Sequence, residues 1–565
     1  MDQRPRRAMS NRRLATVGAL LVLAWTIVGY RLTVVQGAQA DEFAARGLDQ
    51  RLQLQTLPAD RGTIFDRDGR ELAVTIDSVS VYANPREMAD PEAAALQLAP
   101  LLDRNVRELA KDLTAGTAFV YLARQMDPED VEPIREADIP GVYFLTEPKR
   151  VYPTDGLAVH VVGFVRSADN VGLEGLELQY DEALTGIPGE LLVERDPAGL
   201  VIPQGEYQVE PAVQGSDLVT TIKVEIQYAA ERALARGMER TGATSGSIVV
   251  IDPTNGEVLA MVNLPSYDPN ARAEVPRDAI RNRAVTDVFE PGSTQKAVTV
   301  SGALESGLVL PGTRFDIPEK IEIQDTVFED FTVHPSRLTV TEIVTHSSNL
   351  GTILLGDLIG ASQLHAIMQQ FGQGARTGID FPGEASGVLR PAEEWCLTTC
   401  LAGTSIGYHV SVTPLQMAMV YATIANDGVW VQPHLVSEIV DGSGIRQAVD
   451  AIERQVISPR TARQVRAMLQ AVVEEGTGSL AAVPGYRVGG KTGTTEKYLS
   501  EAQSYSEEEV VASFIGMAPI DAPRVVVVVV LDGPVEDASG GRGAAPIFSE
   551  VMLAALNQLG VPPDA

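Results

Sequence analysis

Cysteine, histidine and tryptophan are scarce. The 565 residues hold 2 cysteines, 6 histidines and 3 tryptophans. Cys396 and Cys400 stand four apart, not in a C-x-x-C, and the histidines do not cluster. That excludes a thiolate or imidazole zinc site as a reading, and neither metal nor cofactor is expected. For the cysteine pair, an i, i+4 disulfide and two free thiols both stay open. Positive charge is also short: 45 Lys and Arg face 75 Asp and Glu, a formal charge of −30. Arg4, Arg6, Arg7, Arg12 and Arg13 against Asp2 leave the first 13 residues at +4 and the remainder at −34. A surface so acidic is a poor ligand for phosphate backbones, so no nucleic-acid partner is expected. The acidity itself reads as solubility.

What is present is a globular composition, 45% hydrophobic and 21% charged, in a chain long enough for two or more domains. Residues 14–30 are continuously apolar, and after Arg31 the run extends to Val35. The 14–35 stretch can cross a hydrocarbon core of about 30 Å. Trp25, Tyr30 and a snorkelling Arg31 suit the outer interface, and the arginines before it predict the N-terminus inside. Ala38-Gln39-Ala40 resembles a signal-peptidase site, but the apolar core exceeds the usual length of a signal, so a retained anchor is expected.

Beyond the anchor the chain mixes strands and helices. Arg61 to Ala73 places a D-x-D-G turn between two apolar strands, a hairpin. Residues 215–227 read as a strand leading into a helix. Residues 248–251 and 258–262 flank Asp252-Pro253-Thr254-Asn255-Gly256, another hairpin. Residues 514–519 and 525–531 form a third, and its six consecutive valines predict a central strand covered on both faces. Residues 547–559 read as a closing helix. Strands at both ends of the 236–565 part, with helices between, predict an α/β (α+β) fold, an antiparallel sheet flanked by helices. Lys497 to Val510, with its three consecutive glutamates, reads as a solvated loop.

Three short stretches carry chemistry. In Pro291-Gly292-Ser293-Thr294-Gln295-Lys296, Pro291 and Gly292 break the chain before an apolar run. On a helix Ser293 and Lys296 share a face, and the first turn favours developing negative charge. A serine hydroxyl needs a base, and a lysine whose amine is kept neutral can be one. Alone the spacing says little, because an N-cap serine and a solvated lysine give the same letters. Two later stretches change its weight. Ser347-Ser348-Asn349 gives S-x-N, and Lys491-Thr492-Gly493-Thr494 gives K-T-G-T at the end of a strand-like segment. The K-T-G-T strand is expected beside the valine strands, at the edge of a cleft.

This ordered trio resembles that of penicillin-binding proteins and class A β-lactamases. Residues 61–69 also resemble the R-G-x-I-x-D-R-x-G motif of class B penicillin-binding proteins, and Gly172 to Glu177 with Tyr180-Asp181 resembles a second motif of their pedestal. The wording around Ser293 is similar to the division type. The resemblance implies a cytoplasmic tail at 1–13, an anchor at 14–35, a pedestal of the dimerisation type at 36–235 and a transpeptidase domain at 236–565. It implies charged residues that hold the pedestal to itself and to the catalytic domain. It also implies D,D-transpeptidation of peptidoglycan stem peptides through an acyl-enzyme on Ser293, inhibition by β-lactams, and contact with a SEDS-class glycan polymerase and other division proteins. Lys296 would be the base, Ser347 a proton relay, Asn349 the holder of Lys296 and of the substrate backbone, and Lys491 a source of positive potential. Thr492 and Thr494 would bind the terminal carboxylate, the Ser293 and Thr494 N–H groups the oxyanion, and Gly493 would let the substrate strand approach. One departure is His409, where the family usually has glycine; a side chain there is expected to narrow the space behind the site. Rival readings on the same fold are an elongation-type protein, a β-lactamase or carboxypeptidase, and a β-lactam sensor or scaffold.

Overall fold

A computed structural model describes residues 5–43, 51–194, 207–271, 275–324, 326–396, 398–499 and 504–565. Of the N-terminal charge cluster, Asp2 and Arg4 lie outside the described residues. Helix Pro5–Thr33 runs into a π turn, Val34–Ala38, and 12–37 is long and apolar enough to cross a membrane. The hydroxyls of Thr16, Thr26 and Thr33 donate to carbonyls four residues back, so these polar groups are satisfied within the helix.

The chain divides into two compact units, residues 1–59 with 186–214 and residues 60–185 with 215–565. Besides the helix, the first holds a three-stranded antiparallel sheet of Leu52–Leu57, Gly189–Glu194 and Tyr207–Glu210.

In the second unit a seven-stranded sheet runs in the order Arg446–Ala448, Val436–Val440, Asp217–Thr220, Ile64–Phe65, Glu71–Ala83, Val120–Met126, with Val142–Val151 also paired along Glu71–Ala83. Strands far apart in sequence thus share one ladder: Asp217–Thr220 lies parallel to Ile64–Phe65 and antiparallel to Val436–Val440. The D-x-D-G hairpin forms as expected. Asp66 Oδ1 accepts from the N–H groups of Asp68 and Arg70, and Gly69 takes the left-handed turn position at φ +86°.

The pedestal-type motifs meet in a buried charge knot. Fully buried Glu177 takes Arg61 Nε at 2.6 Å and Arg150 Nε at 2.7 Å, while Arg61 Nη1 also reaches Asp181 at 2.8 Å. Tyr180 then donates to Asp380 at 2.9 Å, and Asp380 accepts from the Leu435 and Val436 N–H groups. Lys223 pairs with Asp68 at 2.6 Å, and Arg67 with Glu257. These contacts agree with a charged set that ties the motif region both to itself and to later parts of the chain.

The five-stranded antiparallel sheet has the order Val258–Leu264, Ser245–Ile251, Val525–Asp532, Ser504–Ala518, Gly489–Leu499. The valine strand is central, and its period of two splits its side chains between two cores. Val525, Val527 and Val529 pack with helices Val224–Thr241 and Ala545–Gln558, and Val526, Val528 and Val530 with the fully buried helix Pro414–Ala425. A three-layer helix–sheet–helix domain results, as the strand pattern predicts. The K-T-G-T strand is the sheet edge, one strand removed from the six valines.

Two details needed the structure. Cys396 and Cys400 form a disulfide. The expected loop at 497–510 is mostly strand: the hairpin runs to Leu499 and resumes at Ser504, and residues 500–503 lie outside the described residues. Tyr498 stands opposite Tyr505, their rings 5.4 Å apart, and Lys497 pairs with Glu509 and Asp532. Cross-strand pairs of this kind stabilise a ladder whose letters look like a solvated loop.

Candidate active site

The nucleophile-like turn is built by contacts that leave no room for side chains. Gly292 to Gln295 form a 3-10 turn that runs directly into helix Lys296–Glu305, buried from Lys296 to Leu304. Gly292 adopts φ +51°, and its N–H donates to the Gly407 carbonyl. A Cβ on Gly407 would stand 2.1 Å from the Gly292 oxygen. The turn therefore presents Ser293, half-buried, to a cleft of about 600 Å³ that Ser347, Tyr408, Thr492, Thr494 and Arg542 also line.

Lys296 reaches the S-x-N turn from beneath. Its Nζ donates to the Ser347 carbonyl at 2.5 Å and to Asn349 Oδ1 at 2.7 Å, with Ser347 Oγ at 3.3 Å. The Asn349 Nδ2 donates to the Glu329 carbonyl at 3.0 Å, which fixes which end of the amide faces the lysine. Both nearest partners of Nζ are pure acceptors. A neutral amine has two protons, so it would satisfy both and keep its lone pair for a third group. Ser293 Oγ itself makes no hydrogen bond to a described residue, so the Ser293–Lys296 contact expected from sequence is absent in this resting arrangement. Such contacts commonly tighten only with substrate bound.

The electrostatics favour the neutral amine. Burial drives the Lys296 pKa well below that of an ordinary lysine, neighbouring Lys491 pushes the same way, and Asp330 opposes. Lys491 is fully buried, and burial lowers its pKa to about 7. Its Nζ donates to Ser347 Oγ at 2.8 Å. The Ser347 hydroxyl thus sits between two lysines, on a backbone held at φ +59°, a strained conformation of the kind that gathers at functional sites.

The edge strand supplies the opposite wall. Thr492 Oγ1 lies 2.9 Å from Thr477 Oγ1, and exposed Thr494 accepts from the Gly540 N–H. At Gly493 a Cβ would meet Ser513 Oγ at 2.4 Å and the Pro291 carbonyl at 3.0 Å. The neighbouring strand and the Ser293 turn fill that space, so packing by itself already calls for glycine here. The His409 ring lies over Gly403, outside the lining of the cleft itself.

All eight singled-out residues, Ser293, Lys296, Ser347, Asn349, Lys491, Thr492, Gly493 and Thr494, converge on this one crevice. Sequence reasoning missed Glu329 and Asp330, which hold the S-x-N turn, and His334, which holds Asp330. Asp330 is one acidic residue among 75 and carries no periodic or motif signal.

A serine on a buried turn, two buried lysines and a glycine-bearing sheet edge define an active-serine acyl-transfer site. The chain belongs to the penicillin-binding protein transpeptidase family, whose transpeptidase domain matches residues 246–553, and the penicillin-binding protein dimerisation domain matches residues 56–220. Among curated relatives, a probable peptidoglycan D,D-transpeptidase, PbpC of Pseudomonas aeruginosa, is 34% identical over 98% of this chain and 96% of its own. The peptidoglycan D,D-transpeptidase FtsI of Escherichia coli is 33% identical over 98% and 93%. Penicillin-binding protein 3 of Mycobacterium tuberculosis, solved with aztreonam, superposes with a TM-score of 0.72 at 30% identity, covering 90% of this chain and 98% of that one.

Proposed function

We propose that this chain is a class B D,D-transpeptidase that cross-links peptidoglycan stem peptides during septal wall synthesis and is acylated by β-lactams. The observation that carries the reading is Lys296. Its two nearest partners use two protons, and its buried site disfavours a third, which leaves a base three residues on from Ser293. Ser293 Oγ attacks the carbonyl between two terminal D-alanines while its proton passes to Lys296. The tetrahedral oxyanion lies against the Ser293 and Thr494 N–H groups, each such donor being worth about 3 kcal/mol of barrier. The C–N bond then breaks, and Ser347 relays a proton to the departing D-alanine. The amine of a second stem peptide attacks the ester, restores the hydroxyl and forms the cross-link. Lys491, Thr492 and Thr494 hold the donor's terminal carboxylate, and Asn349 holds its backbone.

The same reading places 1–13 in the cytoplasm, 14–35 in the membrane, and a pedestal (36–235) and transpeptidase domain (236–565) outside. It gives the membrane helix a SEDS-class polymerase as neighbour. The apolar helix, the arginines before it and the division-type wording around Ser293 support these assignments.

Full-length protein in detergent is expected to take up one fluorescent penicillin covalently and to lose that label in Ser293→Ala. It should also transfer a D-Ala-D-Ala thioester mimic to a D-amino acid acceptor. Labelling that survives Ser293→Ala, or rapid penicillin hydrolysis in place of a stable adduct, refutes the reading.

A further inference from the structure

A short strap, residues 329–334, crosses the S-x-N turn and holds it from the side opposite Lys296. The Glu329 carbonyl takes Asn349 Nδ2, and Thr332 Oγ1 donates to the His346 carbonyl at 3.0 Å. Asp330 is the centre of the strap. Its Oδ1 accepts the backbone N–H groups of Asn349 and Leu350, and its Oδ2 accepts Ser348 Oγ at 2.7 Å. A carboxylate at the N-terminus of helix Asn349–Ile359 suits the helix dipole. It carries a cost, however. Asp330 is close enough to Lys296 to favour the ammonium form, the form that cannot act as a base.

His334 answers that charge. Its Nε2 lies 2.7 Å from Asp330 Oδ2, and its Nδ1 lies 2.8 Å from the Pro335 carbonyl. Both facing oxygens are acceptors, so a neutral ring would turn one lone pair toward an oxygen; only a ring protonated at both nitrogens donates to both. Burial works against the charge, but the Pro335 carbonyl and Asp330 outweigh it and raise the pKa. The other titratable groups around the pair are His346, whose ring lies 6.3 Å from that of His334 at 26°, and beyond the turn Lys296 and Lys491.

We propose that His334 is a positioning residue held as an imidazolium, whose charge offsets Asp330 so that this carboxylate clamps the S-x-N turn without drawing a proton onto Lys296. The inference rests on Lys296 being the base. Without the positive ring, a bare Asp330 faces the lysine across Ser348 and Asn349, and acylation needs a higher pH to free the amine.

The test is the second-order rate of acylation of the full-length protein by benzylpenicillin between pH 5 and 10. In His334→Gln the acidic limb is expected to move up by about one pH unit, so that the profile slides and does not merely shrink. His334→Lys, which keeps the charge, should retain the wild-type midpoint, and the double change His334→Gln with Asp330→Asn should restore it. An unmoved midpoint in His334→Gln overturns the proposal, as does a loss equal at every pH. Ring-15N spectra of the wild type are independent of any variant's folding: His334 should carry two N–H protons at pH 7, and a neutral ring there also overturns it. Lys296→Ala separates the two readings. If it is acylated with the wild-type profile, the base assignment has failed. If it is inert while His334→Gln keeps the wild-type midpoint, only the role of His334 has failed.

Discussion

Lys491 is buried without a carboxylate partner among the described residues, which makes it a liability to the fold that the proposed chemistry would explain. A lysine with a depressed pKa binds fewer protons folded than unfolded, so its contribution to stability grows with pH across that window. It is fully present above the ordinary lysine value and is lost as pH falls through about 7. Lys491→Met is therefore expected to melt above the wild type at pH 6, with the gap closing toward pH 10, while penicillin acylation falls roughly 100-fold or more. Calorimetry across pH together with acylation kinetics checks both. His409 is a simpler case. It sits at φ +61°, where an L side chain is strained, so His409→Gly should stabilise by roughly 0.5–1 kcal/mol in denaturant titration. The resemblance points to glycine as the usual residue at this position; the backbone angle that explains it is seen only in the structure.

At the scale of elements, the turn before helix Lys296–Glu305 depends on the 407 position. Gly407 adopts φ +96°, and its missing Cβ is where the Gly292 oxygen lies. Gly407→Ala should displace the Ser293 turn and cut acylation by about 100-fold or more, while circular dichroism shows the secondary structure retained. Much at this scale could be read from the letters. The valine strand, the two Asp/Gly hairpins and the closing helix follow from period and turn chemistry, and the three motifs name the crevice. The rest could not be read, for physical reasons. Lys497 and Glu509 read as solvated charge, although they pair across strands, and the 329–334 strap acts through backbone carbonyls and one carboxylate, which leave no pattern. The K-T-G-T glycine is legible as a motif letter, but the neighbours that crowd it, Ser513 Oγ and the Pro291 carbonyl, come from other parts of the chain.

At the scale of the whole molecule, the Glu177 knot binds the motif region to itself. Its carboxylate holds two guanidinium groups away from water, and an amide in its place leaves buried cations short of a counter-charge. Glu177→Gln is expected to cost about 3–5 kcal/mol in urea unfolding, yet to leave the acylation rate of the still-folded fraction unchanged. The shared seven-stranded sheet adds a second expectation. A chain begun at residue 236 would lack Asp217–Thr220 and leave Val436–Val440 with a bare edge. Such a fragment should aggregate in size-exclusion chromatography where a chain begun at residue 41 stays monodisperse.

That same ladder has a mechanical meaning. Tension pulling on residues 60–185 would reach the later half of the chain as shear across backbone hydrogen bonds, because Asp217–Thr220 is stitched on one side to Ile64–Phe65 and on the other to Val436–Val440. A hinge would let one half swing free of such a pull; a seam of this kind makes both halves yield together or not at all.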